Sequence, residues 1–211
     1  MCRSNIFRPA GVALALGVAL LVPSRAYASL ILLDFANTSH NDAAISDLGP
    51  LYTDQGFQLT LSAFSPNDPQ VQFRSLGALR FDYSGEPSIY AGTALSHIEL
   101  SRVDGGMFSL DSIDLAELPN GQMLDDGTVI ALPALGPFSI TFTGLTISGQ
   151  TVSATALIDP FPSLMTFSFP KDFHNLVSVS WQQGPGGITP GLATHQLSNI
   201  RATTTGKHRI D

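Results

Sequence analysis

Cysteine is all but missing: Cys2 is the one thiol in 211 residues. No disulfide staples such a chain, so a hydrophobic core has to hold it. Cys2 precedes the apolar N-terminal run, whereas a lipidated cysteine stands at the cleavage point after one, so a lipoprotein is excluded. Basic residues are also scarce, ten against seventeen acidic. Arg74, Arg80, Arg102 and Arg201 are scattered, and Lys207 and Arg209 sit in a polar tail. Nucleic acid and anionic lipid both need clustered positive charge, and both are excluded as partners. The five histidines, His40, His97, His174, His195 and His208, form no HxH, HExxH or HxxxH spacing and read as isolated surface residues. There is no GxSxG and no serine beside a base in sequence, so a hydrolase triad has no local support. Gly184 to Gly187 contains a proline and lacks the Lys-Ser/Thr of a phosphate loop.

One long hydrophobic run is present, Ala10 to Val22. Arg3 and Arg8 precede it, Pro23 ends it, and Ala26-Tyr27-Ala28 follows with a small-x-small pattern. A span needs about 20 apolar residues, so the run reads as a secretory signal rather than a membrane anchor. Residues 1–28 are the expected signal, with Ser29 first in a mature chain of 211 − 28 = 183 residues. That length suits one domain. Signal removal takes Arg3, Arg8 and Arg25, leaving 10 − 3 = 7 basic against 17 acidic groups, a net charge near −10.

The rest alternates at period 2, rich in Thr, Ser, Val, Ile and Phe. VSVSW sets Val177, Val179 and Trp181 on one face, which makes Trp181 a core residue. MTFSF does the same with Met165, Phe167 and Phe169. TVSATALI alternates through Val152, Ala154, Ala156 and Ile158, and FQLTLSAF through Phe57, Leu59 and Leu61. One dry and one wet face per strand describes antiparallel sheets packed together. Turn residues punctuate the runs: Pro66-Asn67-Asp68-Pro69, Asp104-Gly105-Gly106, Asp125-Asp126-Gly127, Ser148-Gly149-Gln150 and Gly184-Pro185-Gly186-Gly187. The expected fold is an all-β antiparallel sandwich of jelly-roll type with about ten strands over residues 29–201. A short helix is expected around Ala43 to Leu48, and residues 202–211 as a disordered polar tail.

MFSLDSIDLAEL, residues 107–118, spaces Asp111, Asp114 and Glu117 three apart. Phe108 and Leu110 alternate, as do Ile113 and Leu115, but the phase slips near Ser112, as one extra residue in a β-bulge would make it. With the bulge, Asp111 and Asp114 both face outward, about 10 Å apart at ~3.3 Å per residue. That overlaps the carboxyl separation of inverting glycosidases, but no cleft is visible in the sequence, so the acids are expected as solvated outer-face groups. Phe173, beside Lys171, Asp172 and His174, is the candidate exposed aromatic, and Phe173 with His174 the candidate ligand-binding pair.

In order along the chain, SHIELSRVDGGMFSLDSIDLAEL (96–118), ITFTGLTISGQTVSATALID (140–159), MTFSFPKDFHNLVSVSWQQ (165–183), HQLSNI (195–200) and LYTDQGFQLT (51–60) resemble segments of secreted bacterial proteins that often end in a PEP-CTERM sorting signal. Gly144 and Gly149 match that family's recurring glycines. The resemblance implies a jelly-roll sandwich akin to carbohydrate-binding modules, mostly without assigned activity. Acids near the two chain ends hold a structural calcium in related modules. Here Asp34 and Asn199 remain, but Ala36 and Ser198 replace two charged positions, so calcium binding is expected to be weak or absent. No Pro-Glu-Pro, apolar span or basic terminus follows Arg201, so the expectation is the fold without the sorting tail, secreted or periplasmic.

These readings imply a non-catalytic extracellular module with no cofactor, binding or packing into an envelope or matrix component, with polysaccharide as one partner class. The alternative is a jelly-roll glycoside hydrolase or lyase using Asp111 and Asp114. A third class is a self-associating structural matrix protein.

Overall fold

A computed structural model describes residues 27–62, 71–92, 96–118, 121–123, 129–131, 137–158, 164–184 and 194–206. The expected turns at 66–69 and 125–127 lie outside these residues, as do Pro185 to Gly187, His208 and residues 1–26 of the expected signal. Among the described residues there are fifteen strands, more than the ten or so expected, because several short runs pair only through distant partners. The seven-stranded sheet contains β1 (Tyr27–Leu33), β2 (Ile45–Gly49), β5 (Phe73–Leu76), β6 (Ile89–Ala91), β8 (Ser109–Leu118), β13 (Met165–Ser168) and β15 (Thr194–Gly206). The six-stranded sheet contains β3 (Leu51–Asp54), β4 (Phe57–Ser62), β7 (His97–Arg102), β11 (Phe138–Thr146), β12 (Thr151–Ile158) and β14 (Leu176–Gln182). β9 (Gly121–Met123) and β10 (Val129–Ala131) pair with each other. Their orders are β13-β8-β15-β6-β5-β2, with β1 also on β15, and β12-β11-β14-β7-β4-β3. All pairings are antiparallel, and the architecture is a β-sandwich.

The period-2 pattern delivers the core. Val179 faces Leu100 and Leu100 faces Leu59 across three strands, while Trp181 faces Ile98 and Ile98 faces Leu61. Apolar rows of this kind line the inner face, and the opposite parity meets solvent. At the hairpin between β11 and β12, Gly149 takes φ +79°, a left-handed turn position that favours glycine. Gly144 is needed for another reason: a Cβ there would stand 2.9 Å from both Leu176 Cδ2 and Val152 Cγ2.

Two local expectations give way. Ile45–Gly49 is β2, not part of a helix, because β5 offers it a ladder from Ile45↔Leu76 to Gly49↔Phe73. The polar stretch from Ala202 to Gly206 is strand rather than tail, since β1 pairs with it from Leu33↔Ile200 to Tyr27↔Gly206. Ala202 and Thr204 are buried there. Residues 207–211 of that expected tail lie outside the described ones.

The segment after β5 crosses the outer face of the seven-stranded sheet. It is tied to residues 40–44 by Gly77 N–H to Ala44 O (3.0 Å), Ala78 N–H to His40 O (2.9 Å) and Leu79 N–H to Asp42 O (2.9 Å). The backbones approach so closely that a Cβ on Gly77 would lie 2.2 Å from Asp42 O. Gly77→Ala is therefore expected to cost about 1–3 kcal/mol, the usual penalty for overfilling a packed site. An unchanged urea midpoint would contradict this reading.

Candidate functional site

The bulge expected near Ser112 is present. β15 pairs Ser198 with Asp114, Arg201 with Ser112 and Ala202 with Leu110, so the register shifts twice within a few residues. Asn199, at φ +42°, absorbs the extra residue on β15. Asp111 is exposed and accepts the Thr203 hydroxyl at 2.6 Å, as a solvated outer-face acid would.

The other two acids are not solvated. Asp114 is 7 % exposed, accepts the Thr166 hydroxyl at 2.6 Å and lies 3.7 Å from the Arg201 guanidinium. Glu117 is 1 % exposed. It pairs with His195, one pleat beyond the core pair Leu115↔Leu197, so both side chains point between the sheets. Local alternation could not reveal that the sandwich closes over this end of β8. Asp111 and Asp114 stand in different environments on the outer face of β8, one exposed and one covered.

His195 is the largest departure from an isolated surface histidine. It is fully buried, and its Nε2 accepts the Trp181 indole N–H at 3.2 Å. That bond places the ring proton on Nδ1, which has no hydrogen-bond partner among the described residues. Burial pushes the histidine pKa down to about 3, against a smaller opposing effect of the nearby Gln183 backbone. The Gln183 amide donates to His195 O, and its Oε1 accepts Ala91 N–H at 3.1 Å. Trp181 is core, as its face predicts.

Phe173 is not an exposed aromatic. It is 1 % exposed, with its ring 4.8 Å from Phe169. The turn closed by Phe173 N–H to Pro170 O (3.0 Å) carries it inward, and Asn175 at φ +52° brings the chain back into β14. The polar neighbours Lys171, Asp172 and His174 stay outside, and they gave the segment its surface character in the sequence. His174 is exposed, with Nδ1 2.8 Å from Lys171 O.

The two chain ends do meet: Leu33 pairs with Ile200, which makes Asp34 and Asn199 neighbours in register. Asp34 Oδ1 already accepts Ala36 N–H at 3.0 Å. Ser198 is fully buried, and its hydroxyl donates to Pro87 O at 2.6 Å. Calcium takes six to eight oxygens. Of the side chains expected near the two chain ends, Asp34 and Asn199 remain there, and Ser198 is committed elsewhere. Nearby Asp54 has its pKa raised, by burial first and then by the charge of Asp34. Among the described residues, no three His, Asp or Glu side chains converge on one point where a metal ion could sit.

A serine with a positioned base does occur, invisible in sequence because its members come from separate elements. His40 Nδ1 lies 2.6 Å from Asp42 Oδ1, and His40 Nε2 lies 3.5 Å from Ser75 Oγ. This is the connection order of an acyl-transfer triad. Ser75 is 1 % exposed, however, and a substrate carbonyl cannot reach its hydroxyl. The trio closes an edge of the sandwich.

Two accessible surfaces stand out among the described residues. A cleft of about 310 Å³ lies among Ile31, Gln55, Gly56, Phe57, Arg102, Val103 and Asp104. Arg102 grips Asp104 at 2.9 and 2.5 Å and donates to Met107 O at 3.2 Å, so its charge is spent inside the protein. The Gly106 N–H first, and then Arg102, hold the Asp104 carboxyl below its usual pKa. The other surface is the outer face of the six-stranded sheet. One cross-strand row runs Ser153, Thr143, Ser180, Glu99, Thr60, Leu51, and the next runs Thr151, Leu145, Ser178, Ser101, Gln58, Thr53. Hydroxyls bond along it, Thr141 to Thr155 at 3.1 Å and Gln58 to Ser101 at 3.1 Å. No aromatic ring stands in these rows. Among the described Phe, Tyr and Trp side chains the one exposed ring is Phe81, beside Arg80.

No protein-family model matches this chain, and no curated protein does. Among solved structures, it is similar to a carbohydrate-binding module of family 29, with 12 % identity and a TM-score of 0.44 over 84 % of this chain and 90 % of that one. A variant of such a module complexed with cellulohexaose shows 13 % identity and a TM-score of 0.43, over 84 % and 92 %. Another, complexed with mannohexaose, shows 11 % identity and a TM-score of 0.36, over 84 % and 93 %. At these values the likeness assigns neither a family nor a ligand.

Proposed function

We infer that this protein is a non-catalytic extracellular β-sandwich that packs against an envelope or matrix component, with polysaccharide as the partner class. The observation that carries this reading is the outer face of the six-stranded sheet: rows of mainly Ser, Thr and Gln spanning six strands, with Glu99, Leu51 and Leu145 among them and no Phe, Tyr or Trp. Hydroxyl rows on a broad sheet hydrogen-bond to a hydroxylated polymer at many points. Without ring stacking each contact is weak, and retention comes from their number. The groups that chemistry would need differ in access: Asp111 is exposed, and Asp114, Glu117 and Ser75 are buried. No step in this reading uses a cofactor.

Incubation of the mature chain with insoluble polysaccharides tests it. We expect retention without release of reducing sugar, and weaker retention for Glu99→Ala and Gln182→Ala. Absence of retention on any polysaccharide would remove that partner class, and sugar release would restore the enzyme alternative.

A further inference from the structure

We propose that the protein is a two-fold dimer joined edge to edge through β12, which fuses two six-stranded sheets into one. The argument begins with which backbone groups of β12 are free. Thr146 N–H bonds to Gln150 O at 2.9 Å and Thr146 O accepts Gly149 N–H at 2.9 Å, so residue 146 turns both ladder groups toward the β12 side. Bonded pairs alternate along an antiparallel ladder. With the register Phe138↔Ile158 to Leu145↔Thr151, residues 152, 154, 156 and 158 therefore turn their N–H and C=O groups toward β11. Thr151, Ser153, Thr155 and Leu157 turn theirs away, and among the described residues no strand takes them.

β12 is also the edge least protected against pairing. Its eight residues, TVSATALI, contain no charge, proline or glycine, and its ladder to β11 has no bulge. Natural edges are blunted by charge, proline, bulges or shortness, and the other edges show these devices. β3 has four residues, follows Pro50 and ends at Asp54. β2 carries Asp47 paired to Arg74 at 2.9 Å and is bulged before Gly49. β13 has four residues and is soon followed by Pro170, Lys171 and Asp172. β1 is uncharged too, but cleavage after Ala28 would set the new α-ammonium group at Ser29 on it.

The occupant follows from self-complementarity. A strand with free groups on 151, 153, 155 and 157 matches a second copy run antiparallel about Ala154, where Thr151 faces Leu157 and Ser153 faces Thr155. Each facing pair exchanges two N–H···O bonds. Leu157, 54 % exposed in the monomer, gains a neighbour. In an acidic chain of net charge −7, a second copy is repelled least where no charge stands. The dimer also doubles the hydroxyl face, although the inference does not rest on any ligand for that face.

Sedimentation velocity of the mature chain tests it. The expected result is twice the monomer mass for the wild type and for Thr155→Val, which keeps the N–H. Monomer mass with an unchanged far-ultraviolet spectrum is expected for Thr155→Lys and Thr155→Pro. Proline there removes only the outward N–H, so the β11 ladder survives. A wild-type monomer, a mass that rises without limit, or a dimeric, folded Thr155→Lys would each overturn the proposal. A readout free of mutations is hydrogen exchange at Thr151, Ser153, Thr155 and Leu157, which should slow as protein concentration rises. Concentration-independent exchange at those four amides would also overturn it. The polysaccharide retention assay is scored separately and is indifferent to these outcomes.

Discussion

Phe142→Ala is expected to lower unfolding stability by about 3–5 kcal/mol, among the largest effects of any single change in this chain. Phe142 is fully buried on β11. Its ring stands 5.8 Å from Phe167, 5.1 Å from Phe169 and 5.2 Å from Trp181, so it joins β11, β14 and the segment around β13 in one aromatic cluster. Truncation removes transfer free energy and leaves a cavity that partners on both sheets cannot collapse to fill. No disulfide compensates, because the one cysteine is Cys2. For a domain of this size, 1 kcal/mol shifts the melting temperature by roughly 2–4 °C, so a fall of about 10 °C is expected. Calorimetry decides: a shift of only a degree or two would mean the cluster is not the centre of the core.

The second large effect is a loss of stability in mild acid. His195 has a pKa near 3 when folded, against an ordinary value of 6.5, because burial disfavours the charged ring. The unfolded chain therefore binds a proton that the folded chain refuses. Its contribution is complete above pH 6.5, declines as pH falls from 6.5 toward 3, and is flat below that. At 1.36 kcal/mol for each tenfold change in proton affinity, the loss is on the order of 4–5 kcal/mol across the window. Between pH 4.5 and 6.5 carboxylates contribute little, since their ordinary values lie lower. His195→Gln keeps an acceptor for the Trp181 N–H and removes the titration. Denaturant midpoints for the wild type should fall steadily across this interval, and those for His195→Gln should stay level. Parallel curves would show that another group governs the acid response.

Much of the fold was legible in the sequence. Alternation in VSVSW and TVSATALI named the buried faces of β14 and β12, and the phase slip in FSLDSIDL located the bulge on β8, because a two-residue period records directly which side of a strand is dry. The site residues were less legible. Phe173 sits among polar neighbours and is core; His195 sits in a polar stretch and lies between the sheets. Asp114 follows an outward-looking pattern and is covered, and Glu117 is an acid set in the inward phase of Ile113 and Leu115. In each case burial comes from a distant segment laid over that position, and local periodicity carries no record of what covers a strand.

What the sequence by itself determined is the class: pleated strands with one dry side, in a chain with one cysteine and more acidic than basic groups. Only the tertiary structure decided which acids stay wet, that Ser75, His40 and Asp42 meet, and which strand is left at an edge. Those depend on long-range register and on which segment crosses which face, and contacts between residues some 30 to 110 positions apart leave no trace in any short window of residues.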